Sequence, residues 1–360
     1  MQIYLQNTAF EIKKITMAHN IGQMFYCGEA PWHGLGTKLD KPATIEQALS
    51  AGGLDWTVSM RPLVLAGEYR SAVPQRLAIV RDDVLPGIPG RVLGAVHPNF
   101  KVLQNRDGAA LFDSLFGKGA AVYHTGGYLK RGEVVWLMAK LPKGIVLHGE
   151  DKLDTYLLFS NSHDGTLAID IRLTTVRVVC NNTLTLALRK KNQAHVFRRG
   201  HSGNYQVLKA DAEAFFKSIL AQQDETQVVM EKLVHAECSD DAFAAFLKLL
   251  LPDPTRPATA NTNKAVERGF DTRTATIAEQ RDQIMAVHLN GHKVAGQLNV
   301  VISPAEKTWW GGLNSITAWV DHVSEVDGDR YANAMFGGGD RLKAVAYQKI
   351  LNEARAFEKV

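Results

Sequence analysis

Apolar and polar positions change their period along this chain, and the changes divide it into three regions. Up to about residue 119, short segments alternate with turn residues at 31–36 (PWHGLG), 51–53 (AGG) and 85–90 (LPGIPG). Residues 44–49, behind Pro42, predict a short helix, and residues 56–65 and 76–81 predict strands of a half-buried sheet. Residues 105–116 carry apolar positions at helical spacing, with Gly117 placed to cap the helix end.

The central region has the stronger β signals. Residues 133–141 (EVVWLMAKL) predict a strand stopped by Pro142, residues 155–160 (TYLLFS) a second, and residues 167–180 (LAIDIRLTTVRVVC) a long third. Between the second and third, Asn161-Ser162-His163-Asp164-Gly165 contains an Asp-Gly pair, a strong hairpin-turn signal. Asn181 or Asn182 is then expected to cap a helix reaching about Lys191, with Leu184, Leu186 and Leu188 as its apolar contacts. Beyond residue 210 the 3.6-residue period takes over, in 211–223, 225–235, 240–251, 274–289, 315–323 and 341–358. Pro252, Pro254 and Pro257 interrupt it, Trp309-Trp310-Gly311-Gly312 precedes the fifth of these helices, and residues 336–339 (FGGG) predict a loop. The expected class is α+β. A central β-β-β-α unit at 120–210 lies between an N-terminal small-sheet region at 17–119, itself behind an extension at 1–16, and a helical C-terminal region at 211–360.

Composition narrows the class without naming a reaction. With 360 residues, 46% hydrophobic and 22% charged, the chain has the make-up of a folded protein with a large core. No run approaches the roughly 18 apolar residues of a membrane span, and Glu11, Lys13 and Lys14 occupy the place of a signal-peptide apolar core, so a cytoplasmic protein without membrane contact is expected. Cys27, Cys180 and Cys238 lie far apart, which excludes a disulfide framework or a cysteine-rich zinc module. The net charge is only +4, but it is unevenly placed: residues 171–210 hold eight Lys and Arg and no acid, leaving −4 for the rest of the chain. Such a concentration is the footprint of a polyanion site.

Other chemistries fit the residues less well. His163-Asp164 and Asp321-His322 lack the i, i+4 spacing of metal ligands, and no HExxH occurs, so neither metal nor cofactor is expected. Cys180 ends a strand whose Val178 and Val179 indicate a packed thiol; there is no GxSxG elbow and no GxxxxGK[ST] phosphate loop. Trp32-His33-Gly34, His97-Pro98 and Trp309-Trp310 read as packed rings. The basic window remains. Arg172 and Arg177 fall on opposite faces of a regular strand, and Arg189, Lys190 and Lys191 also suit the dipole of a helix C-terminus.

Residues 161–184 (NSHDGTLAIDIRLTTVRVVCNNTL) resemble the core signature of the phage/plasmid-like protein family, the domain of unknown function 932 group. The matching elements are Ser162, His163, Asp164 and Gly165; the strand-to-helix junction at 177–184 with Cys180 and Asn182; and the PWHGLG element with Trp32 and His33. The likeness runs from about Met17 to Phe336, with residues 1–16 ahead of it. It implies a mobile-element setting and no established activity. A β-β-β-α unit with a basic strand is similar at fold level to single-strand-annealing recombination proteins. The expected function is therefore non-enzymatic DNA binding, to ssDNA, in recombination or replication, by a homo-oligomer joined through its sheet edges. Arg172, Arg177, Arg189, Lys190, Lys191, Arg198 and Arg199 are the expected phosphate contacts, with Lys130 and Arg131 from the first hairpin, and Tyr156, Phe197 or Tyr205 as stacking surfaces. Two other classes stay open: a metal-dependent enzyme on nucleic acid or nucleotide using His163, Asp164 and Asp170, and a defence or anti-defence interaction protein docking through its helical part.

Overall fold

Alternation with a period of two builds the centre of the molecule, because strands paired on both sides must send successive side chains to opposite faces. In the computed structural model, the described residues are 21–28, 36–66, 71–84, 91–116, 122–147, 151–177, 183–185, 196–203, 205–261, 263–291, 307–325 and 330–357. The first half contains β1 (Ile21–Cys27), β2 (Thr37–Leu39), α1 (Ile45–Ala51), β3 (Val58–Val64), β4 (Ala72–Arg81), β5 (Val92–Val96), α2 (Asn105–Leu115), β6 (Tyr123–Leu129), β7 (Val134–Lys140), β8 (Ile145–Leu147) and β9 (Asp151–Ser162). β10 (Ile169–Arg177), β11 (Thr183–Thr185) and β12 (Val196–Arg199) follow. The helices α3 (Tyr205–His235), α4 (Asp240–Leu250), α5 (Lys264–Asn290), α6 (Trp309–Ala318), α7 (Arg330–Phe336) and α8 (Gly338–Phe357) complete the chain. A 3-10 turn at Ala258–Asn261 and a π turn at Trp319–Val323 interrupt the helical part.

Among the described residues, nine strands form one sheet in the order β11-β10-β9-β7-β6-β1-β2, with β12 also on β10 and β8 also on β9. Its pairings are antiparallel except β1 with β2. β3, β4 and β5 form a separate antiparallel sheet. On one face of the large sheet, Leu137, Phe159 and Ile171 join a core that includes Leu49 of α1, Phe112 of α2 and Phe216 of α3. On the other, Trp136, Met138 and Leu158 meet Met335, with Ala332 and Phe336 packed against them, all from α7. No helix among the described residues is long and apolar enough to cross a membrane.

The α+β class holds, as do strands at β3, β4, β7, β9 and β10 and helices at α1 and α2. Two expectations change. First, the helix expected from Asn181 or Asn182 is a strand where it is described: β11 pairs with β10, Thr175 opposite Leu184. Leu184, Leu186 and Leu188 recur every second residue, which is the strand period, and Thr183 and Thr185 are β-branched. The helix that follows the strands is α3. Second, α3 is continuous across the expected gap at 224, and the Trp309–Gly312 and Gly338–Gly339 segments lie inside α6 and α8. The three sequence regions share one core: β1 pairs with β6 across residue 119, and the cluster runs from Phe25 to Leu351.

The β9–β10 turn is fixed locally. Asp164 Oδ1 accepts from the Thr166 amide (2.9 Å) and hydroxyl (2.6 Å), and Gly165 takes φ +78°. A Cβ at Gly165 would touch Val96 Cγ1 at an ordinary 3.5 Å, so the backbone conformation, not space, calls for glycine. Gly165→Val is expected to lower stability by about 1–3 kcal/mol, whereas Gly165→Asn, which tolerates this conformation better, loses less. Equal urea midpoints for wild type and the valine variant would contradict the strain argument.

Candidate nucleic-acid interface

The turn that joins β9 to β10 closes over a sealed histidine. Asn105, the first residue of α2, donates its Nδ2 to the carbonyls of Leu54 (3.1 Å) and Trp56 (3.2 Å). Its Oδ1 must therefore accept, and it takes the Nε2–H of His163 at 2.8 Å. The His163 amide donates to the Glu133 carbonyl at 2.7 Å, and its ring lies 5.3 Å from that of Trp56. The ring is 1% exposed, and burial, with His201 and Arg81 adding repulsion, drives its pKa down to about 3. A neutral imidazole without solvent access is a pin between β9, α2 and the β6–β7 turn, not an acid–base catalyst. Ser162 is equally occupied, its Oγ donating to the Leu167 carbonyl and accepting the Leu167 amide.

Strand register places the basic pairs around this turn. Val134 lies opposite Ser162, and Asp170 opposite both Ser160 and Arg198. The β6–β7 turn, the β9–β10 turn and the end of β12 thus share one end of the sheet. From β7 to β12 there are three strand spacings, roughly 14 Å. Lys130 (φ +56°) and Arg131 flank the turn on one side, Arg198 and Arg199 on the other. The side chains of Arg131, Arg198 and Arg199 are 55%, 63% and 52% exposed.

The acids missing from the window in sequence are supplied in space. Arg131 binds the buried carboxylate of Glu133 through Nε (3.0 Å) and Nη2 (2.9 Å), and Arg198 binds Asp170 through Nε (3.0 Å) and Nη2 (2.8 Å). Arg199 holds Asp211 at 2.9 Å. Arg172, expected as a phosphate contact, is instead an internal ion-pair partner. It is 5% exposed, with Nε 2.6 Å from Asp170 and Nη1 2.5 Å from Asp340, so a phosphate cannot reach it. Phe197 is also corrected as a stacking surface: it is buried in the core, with the Arg199 guanidinium 4.9 Å from its ring centroid. Tyr156 is half-buried, its phenol pKa raised by burial and by Asp154. For Arg177 and Tyr205 only the backbone is described, and Trp32, His33, Cys180, Asn182, Arg189, Lys190 and Lys191 lie outside the described residues.

The residues suggested for a metal-dependent enzyme do not converge. His163 faces Asn105 and the main core, Asp164 is spent on its own turn, and Asp170 points to the opposite face with Arg172. A serine–histidine–aspartate series exists elsewhere, with His288 Nδ1 3.0 Å from Ser315 Oγ and Nε2 3.6 Å from Asp240. Ser315 is fully buried and already donates to the Gly311 carbonyl, so no substrate meets it. What the sequence did not reveal is a cavity of about 180 Å³ between the end of β12 and the start of α3, bordered by Lys101 and Arg199. Lys101 arrives there because its amide donates to the His201 carbonyl at 2.7 Å while Phe100 stacks on His201 at 4.2 Å; no local pattern signals this contact.

The His163 environment has a measurable consequence. The unfolded chain takes up this proton near pH 6.5 and the folded one at about 3, so the unfolded state binds more protons between these values. The contribution is complete above the unfolded value and is lost as pH falls, with a slope of up to about 1.4 kcal/mol per pH unit. His163→Gln, which keeps a donor for Asn105, is expected to flatten stability between pH 6.5 and 4. Parallel wild-type and variant curves from urea titrations would remove the sealed-imidazole account.

A family model described as domain of unknown function (DUF932) matches residues 92–354, from β5 to near the end of α8. No curated protein and no solved structure matches the chain. The match takes in the β9–β10 turn, both basic flanks and the cavity, and covers well over half of the sequence: the chain belongs to the DUF932 family.

Proposed function

We propose that this protein binds nucleic acid without catalysis, as a cytoplasmic ssDNA-binding factor in recombination or replication of a mobile element. One observation carries the reading. Two dibasic pairs, Lys130-Arg131 and Arg198-Arg199, far apart in sequence, stand exposed at the same end of the sheet on either side of the Ser162–Gly165 turn. Glu133 and Asp170 grip Arg131 and Arg198 through Nε and Nη2, which fixes each guanidinium and leaves Nη1 for a phosphate oxygen. Phosphate contacts of this kind give affinity without sequence readout. Because each arginine already has an acid partner, the salt dependence should reflect a few contacts, to which Arg177, Arg189, Lys190 and Lys191 would add.

Arg198→Gln with Arg199→Gln tests the site cleanly, since Asp170 keeps Arg172 as its partner. The slope of log affinity against log salt on ssDNA is expected to fall by roughly 0.7 for each lost contact. Adding Arg189→Gln, Lys190→Gln and Lys191→Gln should lower it further. A folded variant with the wild-type slope puts the interface elsewhere.

Self-association belongs to the same reading. Among the described residues, β12 lies at one margin of the large sheet and pairs with β10 alone. Adjacent arginines on that margin repel a second copy until a polyanion neutralises them. Light scattering is therefore expected to show species larger than the 39.6 kDa chain when ssDNA is added. A monomer under all conditions removes the annealing-type assembly from the proposal.

A further inference from the structure

The cavity beside Arg199 has the two-sided chemistry of a base seat. Its floor is apolar, formed by the buried side chains of Ile169 and Leu208, and Val207, exposed on the first turn of α3, makes one wall. Its rim is polar: Ser202 and Asp211 offer hydrogen-bonding groups, and Arg199, on the face of β12 opposite to Arg198, stands at the mouth with Lys101. At about 180 Å³ it falls below the ~300 Å³ where sites for drug-sized ligands begin, a size suited to one small group. A nucleobase matches this shape, with apolar faces, a hydrogen-bonding edge and a phosphate one bond system away.

We propose that this cavity seats one unpaired nucleobase of the bound strand, its neighbouring phosphate on Arg199; the inference rests on the nucleic-acid reading above. Position supports it, because Lys101 and Arg199 both border the cavity, so a backbone held by these two cations passes its mouth. A base in a duplex is stacked and paired, and entering would require flipping it out at a cost of unstacking. The cavity then makes the protein favour single strands over duplexes, which the phosphate contacts alone cannot do.

The probes are a short oligothymidine, the same oligomer with abasic sugars, and a matched duplex, each at about 50 and about 200 mM salt. Wild type is expected to bind oligothymidine about tenfold more tightly than the abasic oligomer, the order of one buried apolar group. Val207→Trp, on an exposed helical position, should fill the cavity and erase that difference while leaving abasic affinity and salt slope unchanged. Ser202→Trp, from the rim, should do the same, which guards against a folding defect in either variant. If wild type binds the two oligomers equally, or both filled variants still discriminate between them, the base seat is refuted and the phosphate reading stands. If no probe binds at the lower salt, both fall together.

Discussion

A carboxylate buried against a sheet must be paired, and Asp170 is paired twice. Arg172 reaches it from the same strand and also reaches Asp340 at the start of α8, while Arg198 reaches it from β12. Removing Arg172, the buried member, would leave the Asp170 carboxylate buried beside Asp340 without its inner partner, at a cost of about 3–5 kcal/mol, whereas the exposed Arg198 can be removed with Arg172 still in place. The network therefore specifies geometry: it locks β12 to β10, seats the α7–α8 corner on the second face of the sheet, and rejects any register that would strand a charge. Shifting β10 by one residue would turn Asp170 and Arg172 into the main core beside Phe159.

The same network decides what charge is left for a ligand. Of the arginines in the basic window whose side chains are described, Arg172 is consumed inside, whereas Arg198 keeps a free edge because it approaches Asp170 from the sheet margin. Arg131 stands in the same relation to Glu133 at the β6–β7 turn. Buried carboxylates under exposed guanidinia make an oriented surface with little net charge, so recognition there depends on placed donors more than on long-range attraction.

His163 shows how a residue type misleads without its surroundings. A histidine beside an aspartate in a turn has the composition of a catalytic pair. Here the ring is sealed under Trp56 and tied to Asn105, and the aspartate is spent on capping its own turn. Both fasten the hairpin that presents the basic flanks.

The amino-acid sequence alone determined the strands with long alternation, β7, β9 and β10, the Asp164-Gly165 turn between two of them, and the helical character of the last region. These follow from local backbone preference and from side chains taking sides every two or 3.6 residues. Short elements were not legible: β8 and β12 hold too few residues to show a period, and the segment that contains β11 reads as a helix although Leu184, Leu186 and Leu188 step by two along the sequence. The extents of α3 and α5 were missed because local breaks in pattern do not end a helix that packing supports. Tertiary structure alone decided the fate of the charges and the existence of the cavity. Asp340 lies 168 residues from Arg172, and Lys101 lies 100 residues from His201. A charge is neutralised by whatever the fold brings within reach, and that distance in space leaves no trace in the spacing along the chain.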